Sequence, residues 1–181
     1  SESQRRLSGG VRVNRVIHHG IEPEMFPFGA GTGGYVLFLG RMSPDKGAHR
    51  AIQIARAAGW PIRLAAKMWE PDERQYFADH VEPLLGDDAI YLGTVGGQEK
   101  LDLIGGAAAL VNPIRWPEPF GLVMIEALAC GTPVLAFAEG AAPEIIDDER
   151  TGFLCRDEAH MAERLGQIDR LDRATCRQSV A

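Results

Sequence analysis

In this 181-residue chain, two carboxylates and two cations are placed where they could do chemistry. Glu118 lies between Pro117 and Pro119, a setting that keeps it extended or in a turn just ahead of the apolar run Leu122–Cys130. Glu126 stands eight positions further on, alone among Leu122, Val123, Met124, Ile125, Ala127, Leu128 and Ala129. A carboxylate in such surroundings is costly to desolvate unless hydrogen-bond donors reach it. If the run is a helix, Glu126 sits ~7–8 Å along the axis from Gly121 and leans back towards that end, where a polyol would satisfy it. An intramolecular cation or a solvated helix face is the alternative. The cations are Arg41 and Lys46 in Gly40-Arg-Met-Ser-Pro-Asp-Lys-Gly47. Ser43 can cap a helix that starts there and Pro44 can occupy its first turn. Lys46 then falls in that turn, where the positive helix end disfavours a cation unless an anion such as phosphate is bound. A solvated surface loop is the competing reading.

The elements that must position these residues are short apolar runs: Tyr35–Leu39, Ile62–Ala66, Ala89–Leu92, Ala108–Val111 and Pro133–Phe137. Runs of this length, apolar but for Arg63, predict parallel strands covered on both faces. Helical spacing fills the intervals, most clearly over Asp45–Ala58, where Ala48, Ala51, Ile52, Ala55 and Ala58 share a stripe. Further helices are expected over Asp72–Leu85, Gln98–Ile104, Phe120–Cys130, Ala142–Asp147 and Glu158–Ile168, while the charged stretch Arg164–Arg177 reads as helix that stops abruptly. The alternation predicts a doubly wound α/β domain, a mostly parallel sheet with helices on both faces, whose ligands sit beyond the carboxyl ends of the strands. Residues 1–15 read as a polar N-terminal segment and 16–181 as the domain. Gly29-Ala-Gly31-Thr-Gly-Gly34 fits G-x-G-x-x-G, but it precedes a strand instead of following one, so it is expected to be a flexible connector.

Composition narrows the class further. The chain is 45% hydrophobic and 24% charged, as expected of a soluble globular protein. Lys plus Arg number 19 against 25 for Asp plus Glu, a formal charge of -6, which argues against a nucleic-acid partner and requires any phosphate to be held locally. Three cysteines without C-x-x-C spacing argue against a disulfide framework or a zinc site and fit a reducing cytoplasm. No run approaches the ~18 apolar residues of a membrane span. The start at SESQRRLSGG, without Met or signal segment, suggests a processed or excised piece.

Together, G-R-x-x-x-x-K-G after a strand, E-P-F-G-L-x-x-x-E on a strand-to-helix turn, A-x-G-T-P-V, a Gly140-centred loop with P-E-I-I, and T-G-F-L carry a resemblance. They resemble the C-terminal, nucleotide-sugar-binding half of the retaining GT-B glycosyltransferases of group 1, family 4, over about Val16–Leu165. That resemblance implies that Arg41 and Lys46 contact the donor diphosphate, and that Glu118 hydrogen-bonds the donor sugar. It also implies that Glu126 holds the ribose hydroxyls, while Gly40 and the backbone at Phe120, Gly121 and Leu122 face the sugar-phosphate. Lys67 is a candidate for the base pocket. Arg41, Lys46 and the helix end would stabilise the departing diphosphate without a metal or other cofactor, with Arg41, Lys46 and Glu118 in the catalytic role.

The same resemblance implies a partner half, the N-terminal acceptor-binding domain, which would hold the acceptor and any peripheral membrane contact. The chain departs from the family pattern at His18-His19-Gly20 and Gly140-Ala141-Ala142. Both histidines are expected to be structural, facing opposite ways on an extended segment. Competing readings are a sugar-nucleotide epimerase or phosphorylase of GT-B fold and a non-catalytic, flavodoxin-like nucleotide-binding domain. A dehydrogenase domain fails on the misplaced Gly29–Gly34.

Overall fold

A computed structural model describes residues 1–180. Six parallel strands form one sheet in the order β3-β2-β1-β4-β5-β6. They are β1 (Val36–Arg41), β2 (Ile62–Lys67), β3 (Ala89–Gly93), β4 (Leu110–Asn112), β5 (Val134–Phe137) and β6 (Gly152–Cys155). The helices are α1 (Glu2–Arg6), α2 (Ala48–Ala57), α3 (Pro71–Tyr76), α4 (Gly97–Gly106), α5 (Leu122–Ala129), α6 (Ala142–Ile145), α7 (Glu158–Leu165) and α8 (Arg173–Gln178). The doubly wound prediction holds. β1 and β2 run in register over six residues, from Val36↔Ile62 to Arg41↔Lys67, whereas β1 and β4 register at the pair Leu37↔Leu110. The chain therefore reverses its direction of sheet growth between β1 and β4, where an open α/β sheet leaves a crevice beyond the strand ends.

Alternation along the strands divides the core between the two faces. Val36, Phe38, Val111, Leu135 and Phe137 pack on one side with Ile52 and Met161. Leu37, Leu110, Val134 and Ala136 pack on the other with Ile104, Met124 and Leu128. Small residues on α2 let it lie close to the sheet: Ala48, Ala51 and Ala55 are fully buried. α5 is apolar almost throughout because it lies between the sheet and α8, and Arg177 of α8 donates to the Ala129 carbonyl at its end at 2.7 Å.

Several sequence expectations change. The helix placed at Asp45 starts at Ala48 behind Gly47, which is left-handed at φ 76°, and Ser43 caps nothing. Lys46 thus lies in the turn before the helix, not in its first turn. The span Asp72–Leu85 breaks into α3, a π-helical turn (Phe77–Val81) and a 3-10 turn (Glu82–Leu84), as Pro83 denies the helix an amide donor. β6 was not foreseen, because three apolar residues between charged neighbours give little signal. The charged end resolves into α7, a 3-10 turn at Ile168–Arg170, and α8. The segment 1–15 contains α1, whose leading amides, Glu2 and Ser3, donate to Glu144 at 2.8 and 2.7 Å.

Gly29–Gly34 is no flexible connector. Gly29, Gly31 and Gly33 donate to the carbonyls of Cys130, Gly105 and Gly106 at 2.9–3.0 Å, and a Cβ on Gly29 would lie 2.2 Å from the Gly105 backbone. These glycines permit two backbones to touch.

Candidate functional site

A cavity of about 680 Å³ opens at the carboxyl ends of the strands, at the β1/β4 reversal. Its wall includes Gly40, Lys46, Lys67, Glu118, Phe120, Gly121, Leu122 and Glu126, eight of the nine positions singled out from the sequence. Arg41 is the ninth. Its side chain is half exposed and turns towards Glu73, with Nε 3.7 Å from Oε1. Burial pushes the Glu73 carboxyl up, but the amides of Trp69 and Glu70 with Arg41 and Lys67 outweigh it and hold the group below its ordinary value.

Local backbone explains why the charged residues meet. Lys46 lies on the β1–α2 loop and Glu118 on the β4–α5 loop. Arg50 of α2 fastens the two together, donating to the Pro113 carbonyl on one and to those of Pro44 and Asp45 on the other, each at 3.1 Å. The Arg115 amide adds a bond to the Asp45 carbonyl at 3.1 Å. Between the fastened loops Lys46 Nζ donates to Glu118 Oε2, both side chains about one-fifth exposed. Lys46, outside the first helical turn, is therefore paired with the protein's own carboxylate.

Glu126 is also paired. Lys100 Nζ donates to its Oε1 at 2.7 Å, the intramolecular pair weighed against a polyol. Gly121, left-handed at φ 87°, turns the chain into α5, and no side chain caps that helix. Its leading amides border the cavity and can receive an anion. Lys67 Nζ stands 4.5 Å over the Trp69 ring at the far wall.

The histidines do not face opposite ways. No strand forms at this point, and both rings pack on Phe120, with centroids 5.8 Å away for His18 and 5.1 Å for His19. His18 Nε2 meets Glu144 at 2.9 Å, whereas His19 borders the cavity. Sequence reasoning also missed Lys100 and Asn112. A lysine on an amphipathic helix looks like a solvated residue, and the available signal was that its helix follows a strand's carboxyl end. Asn112 ends β4 and is 5% exposed, a buried polar residue on the cavity wall. Among the described residues no group of three or more His, Cys, Asp or Glu is placed to hold a metal ion, and no helix is long and apolar enough to cross a membrane.

A glycogen synthase of Mycobacterium tuberculosis is 33% identical over 171 residues, covering 88% of this chain and 40% of that protein. A D-inositol 3-phosphate glycosyltransferase of Mycobacterium leprae is 31% identical over 178 residues, again 40% of its length. The chain thus spans about two-fifths of these curated relatives. Among solved structures, AviGT4, a glycosyltransferase involved in avilamycin A biosynthesis, superposes with a TM-score of 0.84 at 28% identity, over 99% of this chain and 56% of that one. Anabaena HepE, solved with UDP and glucose, shares the fold at a TM-score of 0.80 and 21% identity, over 98% of this chain and 54% of its own. The family model described as glycosyl transferases group 1 matches residues 22–171, most of the sequence. The chain belongs to the group 1 glycosyl transferases.

Proposed function

We propose that this chain forms the donor-binding half of a retaining glycosyltransferase and takes a nucleoside diphosphate sugar in the 680 Å³ cavity. One observation supports it above the rest: Lys46, Glu118, the uncapped start of α5 and Glu126 converge there from separate loops and helices. Each suits one part of the donor. The diphosphate takes the α5 amides and Lys46, with Arg41 swinging in from Glu73. Glu118 accepts from sugar hydroxyls and Glu126 from the ribose. As the bond from the sugar to the diphosphate breaks, negative charge grows on the leaving group, and the cations and helix end stabilise it without a metal. The acceptor is held by a second, N-terminal domain across the cleft, so that the reacting atoms meet in a closed site.

Calorimetry of this chain with a panel of nucleoside diphosphates and with NAD tests the reading. It predicts binding to a diphosphate, indifference to EDTA, weaker binding after Lys46→Ala, and no glycosyl transfer by this chain by itself. Preference for NAD, or binding abolished by chelation, would overturn it.

A further inference from the structure

The second ion pair of the cavity involves a residue with no role so far. Lys100 belongs to α4, which follows β3, and Glu126 to α5, which follows β4. Nζ of the one donates to Oε1 of the other at 2.7 Å, with the side chains 27% and 19% exposed. Both residues border the main cavity, and both also border a smaller hollow of about 340 Å³, lined further by Ile21, Met25, Phe26 and Leu101. The pair thus borders both hollows, one of them the cavity of the candidate ligand.

Glu126 stands on the most apolar helix of the chain, where an ionised carboxylate without a partner is poorly accommodated. A glutamate in such a place has several rotamers and no neighbour on its own helix to choose among them. The contact from α4 makes the choice. It occupies Oε1, whereas an ionised carboxylate offers about four acceptor positions, so capacity remains for hydroxyl donors. Lys100 pairs with Glu126 while Lys46 pairs with Glu118, and the two lysines thereby serve different carboxylates.

We propose that Lys100 is the positioning residue for ribose recognition: it fixes the carboxylate of Glu126 so that the hydroxyl pair of a ribonucleotide meets a pre-set acceptor. The proposal rests on the reading of Glu126 as the ribose acceptor. Ribose preference is then set from two helices, α4 and α5, and the rotamer freedom of the glutamate is lost before the ligand arrives.

The test is calorimetry on this chain with the nucleoside diphosphate that binds tightest in the panel above and with its 2′,3′-dideoxy analogue. Lys100→Met keeps the side-chain stem and removes the charge, and Lys100→Gln serves if that variant does not fold. The preference for the ribonucleotide is expected to fall about tenfold in Lys100→Met, to recover in Lys100→Arg, and to fall no further when Lys100→Met is added to Glu126→Gln. Ribose preference that survives Lys100→Met, or losses that add in the double variant, would overturn the proposal. Glu126→Gln reports separately: if it leaves the preference unchanged, the ribose reading of Glu126 fails. Equal weakening of both analogues by Lys100→Met would then make the lysine a phosphate contact.

Discussion

Replacing Glu118 by Gln should pull apart two effects that the geometry joins. The Glu118 carboxylate pairs with Lys46, and a diphosphate must win that lysine before it can use it. With each side chain about one-fifth exposed, a pair of this kind is worth about 1 kcal/mol. Glutamine is a weaker, neutral acceptor for the same lysine. Nucleoside diphosphate binding to Glu118→Gln should therefore hold or tighten, by up to about fivefold. The sugar-bearing donor behaves differently, because it also loses a charge-assisted hydrogen bond from a hydroxyl, worth about 1.5–3 kcal/mol. Offsetting the first effect against the second leaves the donor weaker by about 0.5–2 kcal/mol, and the ratio of donor to diphosphate affinity falls by about ten- to one-hundredfold. Calorimetric titration of one preparation with both ligands at fixed ionic strength measures that ratio directly. An unchanged ratio would refute the assignment of Glu118 to the sugar. A diphosphate that weakens as much as the donor would refute the competition for Lys46.

Ser43→Ala should leave thermal stability unchanged or slightly raised, because the buried Ser43 hydroxyl has no hydrogen-bond partner; a lost helix cap would instead lower Tm by about 2–4 °C. Burial pushes the thiols of Cys130 and Cys176 up to about 11 and that of Cys155 up to about 12, so a thiol reagent at neutral pH should label none of them until the protein unfolds. Rapid labelling of the native chain would contradict that burial. For Glu144, burial raises the carboxyl, but the Ser3 and Glu2 amides with His18 outweigh it and leave the group below its ordinary value. Its contribution to stability is therefore present above the ordinary carboxylate range and lost as pH falls through the lower folded value, so the Tm difference between wild type and Glu144→Gln should shrink as pH falls through and below the ordinary carboxylate range. A constant difference would show that the carboxylate contributes nothing to holding α1.

The strands and most helices were legible because each is a short local pattern. Five of the six strands announce themselves as apolar runs, and the Ala48–Ala55 stripe marks α2 from its residues alone. The site was legible where a residue broke its local rule: Glu126 is charged inside an apolar helix, and Gly121 stands where the backbone must turn left-handed. Contacts between distant segments left no such trace. Nothing near Lys100 in sequence points to Glu126, and nothing near Glu118 says that Lys46 meets it. The glycines at 29–33 were misjudged for the same reason, since their neighbour is the Gly105–Gly106 backbone more than seventy positions away. Arg41 was placed by motif, and its turn towards Glu73 depends on a helix whose position no local pattern fixes.

The sheet order also bears on how the molecule comes together. β1, β2 and β3 are neighbours in sequence and in space, and so are β4, β5 and β6. Each wing can therefore assemble from short-range encounters as a cooperative unit, whereas the joint between them waits on a chain closure across the span from β1 to β4. That joint is laddered by β4, the shortest strand, through bonds such as those from the Leu37 and Ala108 amides to the Ala109 and Tyr35 carbonyls. The cavity straddles it, with Gly40, Lys46 and Lys67 on one wing and Glu118, Gly121 and Glu126 on the other. A molecule bound there acts as a rivet, so occupancy is expected to slow hydrogen exchange of the Leu37 and Ala108 amides, which donate across the joint to Ala109 and Tyr35, more than of amides in the outer strands.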